Sequence, residues 1–158
     1  LNRKQVFFSN LPELETDRLH LRPFRPRDAE DVFTYASIPE LTRFLPWDTH
    51  RSLSDSEGFL NYVVNWFPEH RRAELGFVLS KKYWGQGLVP EAARRVIAYG
   101  FDHLDLVKIK APAMTENVQS RKVLEKLGFE LEGVLKQEYI IKGKSRDMAM
   151  YALMKGQE

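Results

Sequence analysis

The chain has 158 residues, 43% of them hydrophobic and 29% charged, an ordinary composition for one soluble domain built on one core. Its 24 basic and 22 acidic residues nearly cancel to a net charge of +2, which argues against nucleic acid or a membrane surface as partner. Zero cysteines exclude disulfides, zinc–thiolate sites and thiol nucleophiles, no apolar run approaches the ~20 residues of a membrane span, and the opening LNRKQVFFSN lacks a signal-peptide core, so a cytoplasmic location is expected.

Residues 19–24 alternate apolar and polar and read as a half-buried strand, with Pro23 and Pro26 at its end. Residues 28–36 read as a short helix with Ala29, Val32, Phe33 and Ala36 on one face, stopped by Pro39. Residues 41–50 are irregular and carry Phe44, Leu45 and Trp47, either as a loop packed on the core or as a wall on the substrate side. Ser54 or Asp55 suits the cap of a second helix with Phe59, Leu60, Val63 and Val64 as its buried stripe, ended by Asn65-Trp66-Phe67-Pro68.

Residues 73–79 read as the central strand, followed by residues 106–113, where Val107, Ile109 and Ala111 alternate with lysines. Asn117 caps a last helix whose inward face is Ser120, Val123, Leu124 and Leu127, with Gly128 just past its end. Residues 129–141 and 148–154 are the closing strands, joined by a turn over residues 142–145. The alternation of strands and helices around a glycine turn predicts an α/β sandwich with a mixed sheet.

The stretch LGFVLSKKYWGQGLVPEAARRVIAYGF, residues 75–101, organises the chain. Strand, glycine turn and helix N-terminus in that order make an anion site, because the first N–H groups of a helix have no internal partners and its dipole favours negative charge there. Gly85 and Gly87 permit φ > 0 and a close backbone approach, and Pro90 fits the first helical turn. The Rossmann fingerprint fails, since its third glycine would fall on Pro90, and Gly143-Lys144-Ser145 fails as a P-loop because position 138 is Glu138. The four histidines show no metal spacing.

Tyr83-Trp84-Gly85-Gln86-Gly87 followed by Pro90-Glu91-Ala92 resembles the acyl-CoA pyrophosphate loop of the GNAT acetyltransferases. Glu116-Asn117-Val118-Gln119-Ser120 with residues 123–129, Arg72-Ala73-Glu74-Leu75-Gly76-Phe77 and Leu14-Glu15-Thr16-Asp17-Arg18-Leu19 resemble the Rim-type branch, which acetylates ribosomal-protein N-termini. The resemblance implies a mostly antiparallel mixed sheet, splayed at its centre, with helices on both faces. It implies acetyl-CoA as cosubstrate, its pantetheine arm paired with the backbone of Phe77, Val78 and Leu79 and its phosphates on Lys82, Trp84, Gly85, Gln86, Gly87 and Leu88. Lys82 stands where the family pattern has Gln or Arg and keeps the positive charge. Lys81, Arg94 and Arg95 are further phosphate candidates.

By the same resemblance Asn117 binds pantetheine, Ser120 is the acid for the leaving thiolate, and Glu138 is a functional carboxylate. Glu74, opening the central strand, is the rival base, acting alone or through water, and Tyr139 is a further acid or binder. The expected reaction is direct attack of a primary amine, foremost a protein N-terminal α-amine. A small-molecule amine or a non-catalytic acyl-CoA module are the alternatives, and the oligomeric state stays open. The family also has two antiparallel strands before a turn like Asn65-Trp66-Phe67-Pro68. This chain passes from Val64 to that turn without them and opens at Leu1 rather than methionine. One acetyltransferase domain is therefore expected, lacking roughly 20–30 residues between positions 64 and 65.

Overall fold

The computed structural model describes residues 11–65 and 72–156, without the side chains of residues 64 and 65. Strand β1, Leu14–Glu15, pairs antiparallel with β2, His20–Leu21, so the strand expected over residues 19–24 shrinks to two residues. Pro23 and Pro26 explain this, since neither donates to a ladder. A 3₁₀ turn, Pro26–Asp28, leads into α1, Ala29–Ala36. The buried Asp28 carboxylate accepts from both Arg22 amino groups at 2.7 and 2.8 Å and from the Arg25 N–H at 2.8 Å, and Arg22 holds its pKa down to about 2.

The segment expected to be irregular opens with a short helix, α2, Pro39–Thr42. Helix α3 runs Leu53–Asn65 and begins ahead of both proposed caps. Asp55 acts from inside its first turn, accepting from the N–H groups of Arg51 at 2.8 Å and Ser52 at 2.9 Å. Val32, Ala36 and Leu60 pack α1 on α3, with Trp47 and Phe59 beside them. The helical backbone of α3 runs across the expected junction between residues 64 and 65, while the side chains of those two residues and all of residues 66–71 lie outside the described residues.

Strand β3 is Arg72–Glu74, α4 is Leu88–His103, β4 is Lys108–Met114 and α5 is Val118–Lys126. Strands β5, Glu130–Ile141, and β6, Lys144–Met154, follow. Lys142 (φ 53°) and Gly143 (φ 71°) are both left-handed, which makes a two-residue hairpin. That tight turn lets β6 start at Lys144, earlier than expected.

The sheet order is β3-β4-β6-β5, with β3 parallel to β4 and the other pairs antiparallel. On β6, Ala149, Tyr151 and Leu153 face the core under α4 and α5, while Met148 and Met150 face Phe44 on the opposite side. That alternation is the two-residue period of a strand covered on both faces.

The central strand expected over residues 73–79 keeps its ladder only to Glu74, with one further bond from Leu75 N–H to the Lys110 carbonyl at 2.8 Å. Beyond it the chain parts from β4, and the sheet splays there. Among the described residues no strand pairs with the other edge of β3.

Candidate active site

The splay opens a cavity of about 470 Å³. Its walls are Phe77, Val78 and Leu79 from the parted strand, Trp84 and Gly85 from the turn, Val89 and Pro90 from the start of α4, and Asn117, Ser120 and Val123 from α5. The segment after α1 closes it with Glu40, Leu41, Arg43, Phe44 and Leu45. Its size suits the arm of a drug-sized ligand.

Leaving the ladder is what frees the strand for a ligand. Among the described residues the N–H groups of Phe77, Val78 and Leu79 have no partner, and the Leu79 carbonyl accepts from the Trp84 indole at 2.7 Å. Free backbone groups at the edge of a cavity invite an extended polar chain to add as a strand.

The turn is shaped by glycine. Gly85 (φ 74°) and Gly87 (φ 75°) are left-handed, and Gly87 is the N-cap of α4. A Cβ at Gly85 would meet nothing within 4 Å, and at Gly87 only Arg18 Nη2 at 3.8 Å, so the surface over both is open. Lys82, Gln86, Gly87 and Leu88 do not line the cavity. The Lys82 ammonium lies 4.8 Å from the Tyr83 ring centre. Lys81 pairs with Glu40 at 2.8 Å, tying the turn to the wall across the cavity.

On α5 the Asn117 side-chain oxygen caps the helix by accepting the Ser120 N–H at 3.2 Å, which leaves its amide N–H₂ free. The Ser120 hydroxyl lines the cavity with no hydrogen-bond partner among the described residues. These donors and the free strand edge match an acyl thioester on a pantetheine arm. The open helix N-terminus matches the phosphates beyond it.

Glu74 and Glu138 do not line the cavity. Between Leu135 and Tyr139 the β5–β6 register shifts, with Gln137 at φ 52°, and this bulge brings Tyr139 within electrostatic reach of both glutamates. Desolvation raises the pKa of Glu74, opposed by Lys110 across the β3–β4 pair. Desolvation, then Glu74 and Glu138, raise that of Tyr139.

Of the apolar residues expected in the substrate wall, Phe44 and Leu45 line the cavity, whereas Trp47 packs on His50 and Phe59. Sequence reasoning missed Glu40, Arg43, Val89 and Gln119 in the lining. It also missed Arg18 and Glu91, which meet beside the glycine turn. No local pattern marks any of these. Among the described residues, no three His, Cys, Asp or Glu side chains form a metal-binding group, and no helix is long and apolar enough to cross a membrane.

The family model for the acetyltransferase (GNAT) domain matches residues 57–130, which span the parted strand, the turn and α5. The chain is 30% identical over 175 aligned positions to the uncharacterized N-acetyltransferase YoaA of Bacillus subtilis, covering 93% of this chain and 99% of that one. It is 40% identical over 78 residues to the spermidine N(1)-acetyltransferase of Escherichia coli, covering 49% of this chain and 42% of that one. The crystal structure of a GNAT-family acetyltransferase from Bacillus anthracis superposes with a TM-score of 0.82 at 25% identity, covering 90% and 98% of the two chains. With an end-to-end relative, the same fold and a cavity open to an acyl thioester, the chain belongs to the GNAT acetyltransferases and is an acetyl-CoA-dependent N-acetyltransferase.

Proposed function

We propose that the acceptor is the α-amine of a polypeptide N-terminus, as the Rim-type resemblance implies. The observation that carries this is that two carboxylates, Glu74 and Glu138, lie within electrostatic reach of Tyr139 at the β5–β6 bulge. An α-amine titrates near pH 8, so a carboxylate whose pKa is raised by burial, with a water, is base enough. A lysine amine near pH 10.4 asks for more.

Acetyl-CoA supplies the thioester carbonyl that the amine attacks. Phe77, Val78 and Leu79 hold the pantetheine arm through backbone groups left unpaired among the described residues, and a strand N–H donates to the developing oxyanion. Lys82, Trp84, Gly85, Gln86, Gly87 and Leu88 receive the phosphates, and the Asn117 amide N–H₂ donates to the arm. Glu74 takes the proton from the amine, with Glu138 and Tyr139 fixing the ammonium form on approach. The Ser120 Oγ–H holds the proton for the departing sulfur.

Glu74→Gln is expected to remove the acidic limb of the kcat/KM profile. That limb in the parent enzyme lies above the ordinary carboxylate range, because the raised pKa keeps Glu74 protonated, and so inactive as a base, to higher pH. Glu138→Gln should weaken acceptor KM and leave the limb. If neither change moves the limb, both carboxylates are structural.

A second reading has support from the spermidine acetyltransferase relative and from the two carboxylates, which suit a small polycation. Initial rates with a free-N-terminal peptide, the same peptide blocked, and spermidine decide between them.

We also infer that the chain is one acetyltransferase domain from which about two strands are absent between residues 64 and 65. The alignment to YoaA supports this, since its 175 positions exceed the 158 residues of the chain, so the relative has residues opposite gaps. So does the edge of β3 that no strand pairs with among the described residues. A proteolytic peptide from the natural protein that reads Tyr62-Val63-Val64-Asn65-Trp66 without interruption rejects it.

A further inference from the structure

We propose that Arg18 is a positioning residue for the coenzyme: it sets the Gly85–Gly87 turn in its anion-binding form and cancels the charge of Glu91 beside it. The inference rests on reading that turn as the phosphate site.

Two oxygen groups stand where a phosphate must approach. One is the Gln86 carbonyl, immediately before the N-cap of α4. The other is the carboxylate of Glu91, in the first turn of that helix. Either would repel an anion if left facing it. Arg18 engages both from a segment about 70 residues away in sequence, the connection between β1 and β2. Its Nη1 donates to the Gln86 carbonyl at 3.0 Å, its Nε to Glu91 Oε2 at 2.7 Å, and its Nη2 lies 2.5 Å from the same oxygen.

The other carboxylate oxygen, Oε1, accepts from the Thr16 hydroxyl at 2.5 Å and from the Arg18 backbone N–H at 3.1 Å. Both oxygens of Glu91 are thus occupied, and these bonds, Thr16's first and Arg18's next, lower its pKa and keep it ionised.

Peptide planarity makes the carbonyl contact directional. The Gln86 C=O and the Gly87 N–H belong to one trans peptide unit and point opposite ways. Holding the carbonyl on Arg18 therefore turns the Gly87 N–H outward. Among the described residues that N–H has no partner. A planar guanidinium fork reaches the carbonyl and the carboxylate together, which an ammonium on a flexible stem does not.

Isothermal calorimetry with CoA tests this. Arg18→Ala should weaken CoA binding about tenfold or more, as loss of a charge-assisted bond pair does. Arg18→Lys should lose several-fold, because charge alone does not orient the peptide. Arg18→Ala with Glu91→Gln should recover part of the loss, since the exposed negative charge is gone.

The ratio of kcat/KM for acetyl-CoA over S-acetylpantetheine, which lacks the nucleotide phosphates, should fall about tenfold in Arg18→Ala. A purely structural role would lower both substrates alike and leave that ratio unmoved. If Arg18→Ala does not fold, Arg18→Lys carries the same calorimetric and ratio tests. Wild-type CoA affinity in the folded variants, or an unmoved ratio, overturns the proposal. Gly87→Glu separates the two levels. If it too binds CoA normally, the phosphate site itself is misplaced. If it abolishes binding while the Arg18 variants bind as wild type, only the role of Arg18 falls.

Discussion

Gly87→Glu is expected to lower CoA affinity by well over tenfold while the fold persists. Two effects act together. The position is left-handed at φ 75°, a conformation that costs an L-residue roughly 1–2 kcal/mol. The second effect is larger. The new carboxylate starts at the N-cap of a 16-residue helix, in the field that would otherwise receive a phosphate. Its Cβ would lie 3.8 Å from Arg18 Nη2, so the side chain competes with Glu91 for that guanidinium.

No other atom lies within 4 Å of the added Cβ, so packing gives no reason for unfolding. Gly87→Ala pays the backbone cost without the charge and should fall between wild type and Gly87→Glu. Calorimetric titration with CoA, checked by a thermal melt of each variant, measures both steps. Unchanged affinity in the glutamate variant would sink the assignment of the turn to phosphate.

Ser120→Ala should reduce kcat by about 10²-fold, the usual scale for losing a positioned acid, with KM for acetyl-CoA nearly constant. The structural grounds are its place on the cavity wall and a hydroxyl with no partner among the described residues. A hydroxyl that only filled space would be expected to satisfy itself on the helix carbonyl one turn back. Removing it deletes no contact that holds α5, since the cap at Asn117 works through the backbone N–H of residue 120 and survives the change. Single-turnover rates separate the chemical step from release. A KM rise matching the kcat loss, or no loss at all, would assign Ser120 to binding or to packing.

What was legible in the sequence was local. Asn117 caps its helix because a short polar side chain reaches the N–H three residues on, and Gly85, Gly87 and Gly128 adopt positive φ as expected of glycines at a turn, an N-cap and a helix end. The anion turn and the Ser120 face follow from such rules. Pairing was less legible, because a strand ends where its partner ends. Residues 75–79 have the apolar pattern of a strand, yet the ladder stops at Glu74 when β4 diverges. The start of α3 escaped for a different reason. Asp55 serves the residues before it from within the helix, which starts two positions upstream of it, at Leu53. The meetings of Glu74 with Tyr139 and of Arg18 with Glu91 join residues 65 and 73 positions apart, as a bulge and a two-residue strand pair arrange them. Neither leaves a mark on the local pattern.

The wall formed by Glu40 to Leu45 is fastened differently at its two sides. Towards the β5–β6 hairpin, the Lys142 ammonium donates to the Thr42 carbonyl at 2.7 Å in a partly buried setting, and Phe44 packs on Met114, Ile141 and Met148. Towards the glycine turn it is held by Glu40 on Lys81, an ion pair with both side chains more than half exposed, at 58% and 63%. Exposed pairs of this kind contribute little and weaken further in salt. The wall is therefore anchored firmly at the hairpin and only loosely at the glycine turn, so raising the ionic strength weakens its hold on Lys81 before its hold on Lys142.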